Sequence, residues 1–73
     1  MGTVPIGRAG KIISGDEAGW FVKVLDDSDA TGGLLILTSR DDHFVSAFDN
    51  WVADENALEQ YVQEARWLIA WAA

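Results

Sequence analysis

The run Leu34-Leu35-Ile36-Leu37-Thr38 constrains the fold more than any other part of this chain. It is apolar without a break and is bounded by Gly32-Gly33 on one side and Ser39-Arg40-Asp41-Asp42 on the other. A short run of this kind between turn residues predicts a central strand covered on both faces. Upstream, Trp20-Phe21-Val22-Lys23-Val24-Leu25 is rich in aromatic and β-branched residues and predicts a second strand. Alternation places Trp20, Val22 and Val24 on one face, and Phe21, Lys23 and Leu25 on the other. Everything from Asp26 to Gly33 is turn chemistry, so the two strands should form a hairpin with a long acidic loop.

The remaining segments arrange themselves around this hairpin. Lys11 to Ser14 suits a short strand, and Gly15-Asp16-Glu17-Ala18-Gly19 a turn. His43 to Phe48 predicts another strand, with Phe44, Ser46 and Phe48 on one face and Val45 and Ala47 on the other; Trp51 and Val52 close the segment. A helix is expected over about 54–66. Asp54 is a good N-cap, Glu55 suits the positive end of the helix dipole, and Arg66 suits the negative end. Its apolar stripe is Ala57, Leu58, Tyr61, Val62 and Ala65. The chain then returns through a short strand, Trp67 to Ala73, with Trp67, Ile69 and Trp71 on one face. The expected fold class is α+β: a small antiparallel sheet of about four strands in a meander, one helix on one face and a C-terminal strand. Residues 1–10, with Gly2, Pro5, Gly7 and Gly10, form a loosely ordered arm with a short strand at Val4 to Ile6; residues 11–73 form a single domain.

Composition narrows the means of stabilisation. A chain of 73 residues with no cysteine and one histidine has neither disulfides nor the ligands of an ordinary structural zinc site. Packing must supply the core, and four tryptophans are generous material for it. No stretch resembles a signal peptide or reaches the length of a membrane span, so the cytoplasm is the default expectation. No cofactor is implied.

Charge is the main pointer to function. Twelve acidic residues against five basic ones give a formal charge of −7. That balance disfavours nucleic acid and favours a basic protein surface as partner. The acids concentrate in turns. Asp26, Asp27 and Asp29 lie in one, Asp41 and Asp42 in the next, and a meander places these at opposite ends of the middle strand. Asp16 and Glu17 should join the second group. Asp49, Asp54 and Glu55 gather around Trp51, with Glu59 one turn along the helix. A carboxylate rim around an aromatic suits recognition of Arg and Lys, with Trp51 as anchor. Flanked by Phe48 and Val52, Trp51 itself is better suited to the core.

Two weaker constellations stand beside this one. Asp27-Ser28-Asp29-Ala30-Thr31-Gly32-Gly33-Leu34 resembles the opening of an EF-hand calcium loop, with Asp27, Asp29 and Thr31 at ligand positions and Gly32 at the turn. The resemblance breaks at Leu35 and at Thr38, which stands where the bidentate Glu belongs, and a solvated acidic turn accounts for the same residues. His43 follows Asp41 and Asp42, but no residue marks itself as a nucleophile beside it.

The expected function is therefore a small non-catalytic protein-binding module, such as an inhibitor or immunity-type protein docking on a basic nuclease or nucleic-acid-binding surface. The alternatives are a structural or regulatory homodimer or higher oligomer joined through the Trp-rich strands, and a small-ligand or calcium-binding domain. No membrane partner is expected.

Overall fold

A computed structural model describes residues 4–72. It contains β1 (Ala9–Ser14), β2 (Phe21–Asp27), β3 (Gly33–Ser39), β4 (Ala47–Val52), α1 (Glu55–Ala65) and β5 (Leu68–Trp71). The strands form one sheet in the order β4-β3-β2-β1-β5, with every neighbouring pair antiparallel. This is the expected α+β meander with one helix and a C-terminal strand. The last strand pairs with β1, at the edge opposite β4.

The first four strands need only turns between them. The helix makes the one crossover, leaving β4 at one edge and delivering the chain to β5 at the other. β4 and β5 run parallel, so a simple hairpin could not join them. The helix packs its stripe on the face formed by Ile12, Val22, Val24, Leu34, Ile36 and Val52, which with Leu58, Ala65 and Trp67 make the core. Leu58 is almost fully enclosed, at 1% exposure.

Both helix ends are closed by specific bonds. The Asp54 carboxylate accepts the Ala57 N–H at 2.9 Å, satisfying a donor that the first turn leaves free. At the other end Arg66 adopts the left-handed conformation (φ 58, ψ 35), its N–H donating to the Gln63 carbonyl and that of Trp67 to the Val62 carbonyl. These two bonds are a Schellman closure with arginine in the position glycine usually fills. The Asp16 N–H then takes the Ala65 carbonyl at 2.9 Å, tying the β1–β2 turn to the helix terminus. Gly15, at φ +98, lies so close to the Arg66 and Ala65 carbonyls that a Cβ there would collide with the helix backbone.

Three expectations are corrected. The strand expected over His43 to Phe48 begins only at Ala47 and runs on to Val52. The Asp41 carboxylate accepts the N–H groups of His43 (2.9 Å) and Val45 (3.2 Å), and Phe44 sits at φ +56, so the chain turns where alternation suggested extension. Second, the helix covers β3 on one face only. Leu34, Ile36 and Thr38 are buried beneath it, whereas on the other side Leu35 and Leu37 remain half-buried and Ser39 is enclosed by the β3–β4 connection, to which its hydroxyl is bonded. Third, Val4 to Ile6 form no strand. Pro5 has no N–H to offer a ladder, and the segment instead packs Val4 against the core while Gly7 donates to the Val24 carbonyl at 2.6 Å. Strand β1 starts at Ala9, within the segment assigned to the arm; residues 1–3 lie outside the described residues.

The helix terminus makes two opposite predictions. Gly15→Ala should lower unfolding free energy by about 2 kcal/mol or more, because it adds backbone collision to positive-φ strain. Gly19→Ala, at φ +95 with open space around it, isolates the strain and should cost about 1 kcal/mol. Arg66→Gly removes the left-handed penalty and should stabilise by about 1 kcal/mol. Urea midpoints of the three variants check the order.

Candidate functional site

The strand register sorts the acidic residues into groups. Phe21 pairs with Ser39, so the β1–β2 turn and the β3–β4 connection share one end of the sheet. That end carries Asp16, Glu17, Asp41 and Asp42. Asp27 pairs with Gly33, and Leu34 with Val52, so the β2–β3 loop and the helix start share the other end. That end carries Asp26, Asp27, Asp29, Asp54 and Glu55. The two acidic poles expected from the sequence are therefore present in the topology.

The rim expected around Trp51 is only partly assembled. Trp51 is 51% exposed and stands on the sheet face away from the helix, with Asp49 two residues before it on the same face. Its indole N–H donates to the Thr31 hydroxyl at 2.8 Å, which in turn donates to the Asp27 carboxylate at 2.8 Å. This relay fixes the indole against the acidic loop rather than in the core. Asp54 and Glu55 follow at the strand's end. Glu59 does not join them, because its helix lies on the opposite side of the sheet.

Several of these carboxylates are engaged by their own turns. Asp26 accepts the Ser28 N–H at 2.9 Å, and this bond holds its carboxyl below the usual pKa. Asp41, held by the Val45 N–H first and further by His43 and Ser39, is lowered in the same way. Asp54 caps the helix. Asp29, Asp42 and Glu55 are exposed and carry no such backbone duty.

The calcium-loop candidates do not converge. Thr31 is taken by Asp27 and Trp51, and among the described residues no three His, Cys, Asp or Glu side chains come together as a metal would require. The His43 imidazole lies 3.4 Å from Asp42, with both side chains exposed, and no nucleophile stands beside them.

One feature is invisible in sequence spacing. Asp16, Glu17, Tyr61, Glu64, Ala65 and Trp67 border an open depression of about 440 Å³ where the β1–β2 turn meets the end of the helix. The Tyr61 phenol is pushed up by burial, and further by Glu17 and Asp16. Its oxygen accepts from the Asn50 amide at 3.1 Å, and its ring meets Trp67 edge-on at 5.5 Å. Three chain segments contribute, and only the docking of the helix end brings them together.

The cations are placed quite differently. Lys11 lies over the Phe21 ring and Lys23 over Phe44, each at 5.9 Å, and Arg40 lies over Trp20 at 5.4 Å. Among the described residues no Lys or Arg lies within 4.0 Å of a carboxylate, and His43–Asp42 is the one ion pair. No helix among them is long and apolar enough to cross a membrane.

Comparisons with protein-family models, curated proteins and solved structures found no match.

Asp26 and Asp41 both hold protons more weakly folded than unfolded. Their contribution to stability is complete at neutral pH, erodes as pH falls through the ordinary carboxylate range near about 4, and is gone below their folded values. The double variant Asp26→Asn/Asp41→Asn should flatten the acid limb of the stability–pH curve. Urea unfolding between about pH 3 and pH 7 measures this.

Proposed function

We propose that this chain is a small non-catalytic protein-binding module that docks its acidic poles on a basic protein surface, as an inhibitor or immunity-type protein would. The observation that supports this reading is the separation of charges. The lysines and Arg40 rest on aromatic rings, while carboxylates at both sheet ends stand without Lys or Arg partners. Unpaired surface carboxylates create a field that extends about a Debye length, roughly 10 Å at 0.1 M salt, and can steer a basic partner into place. A nucleic-acid-binding cleft on such a partner has the matching sign.

A homo-oligomer joined through the Trp-rich strands would draw on Trp67 and Trp71, and both are engaged within the chain. Trp67 is buried and donates its indole N–H to the Asp16 carbonyl at 2.7 Å. Trp71 lies over Gly10, where a Cβ would strike its ring. Both aromatics serve the fold itself.

The exposed carboxylates permit a test that leaves the turns intact. The native chain and the triple variant Asp29→Asn/Asp42→Asn/Glu55→Gln are immobilised and challenged with lysate of the native host at about 0.05 M and about 0.5 M NaCl. The expected result is enrichment of a basic protein by the native chain at low salt, with loss of binding both at high salt and in the variant. Partners retained equally under all four conditions would rule the proposal out.

A further inference from the structure

Strand β5 has a neighbour on one side only. The sheet order places β1 along one flank and, among the described residues, nothing along the other. In an antiparallel ladder the backbone groups of successive residues point to alternate flanks. The Ala72 N–H donates to the Ala9 carbonyl at 2.9 Å and Ala70 stands opposite Lys11, so Ala70 and Ala72 face β1. Ile69 and Trp71 therefore turn their N–H and C=O groups outward, four polar groups on an open edge.

An edge of this kind is a template for another strand unless charge or proline blunts it. The two edges of the sheet differ in that respect. Strand β4 contains Asp49 and runs between Asp41-Asp42 and Asp54-Glu55, so pairing it with itself would gather carboxylates. From Trp67 to Ala72 no residue is charged and none is proline. In a chain of formal charge −7, this edge carries nothing to oppose a second copy of itself.

We propose that β5 pairs antiparallel with β5 of a second copy about a two-fold axis at Ala70, joining two five-stranded sheets edge to edge. The pattern of outward groups selects that register. Centred on Ala70, Ile69 exchanges both bonds with the partner's Trp71, and Trp71 with the partner's Ile69, so all four groups of each copy are satisfied. Centred on Ile69, Trp71 would face the partner's Trp67, whose N–H is already given to the Val62 carbonyl. Centred on Trp71, Ile69 would fall beyond the partner's Ala72. On the chosen axis Ala70 meets the partner's Ala70 in the close kind of pair, with Cα atoms about 4.5 Å apart, where a methyl fits without crowding. Leu68, 61% exposed, lies across from the partner's Ala72. The backbone makes this contact, while Trp71 keeps its place over Gly10 and Trp67 its bond to Asp16.

A strand of four residues on each side gives a contact well below the roughly 1,600 Å² of a standard interface, so the dimer is weak and concentration-dependent. The two copies also carry like net charge. Salt screens that repulsion, with a Debye length of about 10 Å at 0.1 M and about 3 Å at 1 M. Self-association should therefore tighten with salt, whereas docking of the acidic poles on a basic surface weakens.

Sedimentation equilibrium from about 10 µM to about 1 mM should show a monomer–dimer equilibrium, at least about threefold tighter at about 0.5 M than at about 0.05 M NaCl. Amide exchange of the native chain reads the register without any variant. The Ile69 and Trp71 amides should gain at least about threefold protection across that concentration range, while those of Ala70 and Ala72, bonded to β1, hold theirs. Ala70→Glu sets like charges face to face at the axis and should weaken association at least about tenfold. In the monomer the new carboxylate stands opposite Lys11, so the urea midpoint should be kept. A monomer at the highest concentration and salt would overturn the proposal. So would association untouched by Ala70→Glu, growth beyond a dimer, or protection gained on β4 instead of Ile69 and Trp71. Ala70 is outside the Asp29/Asp42/Glu55 triple variant, and the opposite salt dependence separates failure here from failure of the acidic docking surface.

Discussion

One eleven-residue helix must close a face five strands wide, and the rest of the structure follows from how it does so. At about 1.5 Å per residue the helix is roughly 16 Å long, slightly less than the roughly 19 Å between the outer strands. It leaves the sheet at the β2–β3 loop end of β4 and returns at the β1–β2 turn end of β5, so its path is diagonal. Its arrival point is fixed by the contact of Ala65 and Arg66 with Gly15-Asp16, where the turn donates an N–H to the helix terminus and glycine leaves room for it. A diagonal path leaves two corners. The N-terminal segment and Trp71 help fill one, and the stacked pair Trp20–Phe48, with Arg40 above the indole, occupies the other, where Phe48 is still 63% exposed.

The elements that could be read from sequence are those whose cause is local. The helix depends on its own stripe and on Asp54, and the structure keeps both. The β2–β3 hairpin depends on alternation and on turn residues adjacent to it. Strand β4 was misplaced because its cause is distant. Asp49 and Asn50 have poor strand propensity, and what holds them extended is the ladder from Leu34–Val52 to Ser39–Ala47. Meanwhile Phe44-Val45-Ser46 has the look of a strand and is bent by the Asp41 carboxylate. The run at β3 misled in another way. Continuous apolarity predicts two covering layers, but the described residues contain one helix to serve as a layer.

The candidate site was legible to the extent that a meander sends alternate turns to opposite ends of a sheet. That rule alone placed the two acidic poles. Position on a face was harder. Glu59 and Trp51 are close in sequence but lie on opposite sides of the sheet, because β4–α1–β5 is a crossover between parallel strands. The face taken by such a crossover follows from its handedness, which residue spacing does not encode. The depression at Asp16, Glu17, Tyr61 and Glu64 was illegible for the same reason, since its parts meet only after the helix has crossed.

The distribution of charge and apolar surface forms one pattern rather than two. Cations would ordinarily neutralise neighbouring acids on a small surface, but here Lys11, Lys23 and Arg40 extend along aromatic rings, where their stems also cover apolar carbon. That arrangement leaves the carboxylates unmatched at the sheet ends. The same connection that bends at Asp41 brings Phe44 to Lys23 and encloses Ser39, so the face away from the helix is covered at one end by a loop and not by a second layer. Leu35 and Leu37, which neither the helix nor that loop encloses, stay half-buried, and the acidity that the lysines do not neutralise gathers at the two ends of the strands.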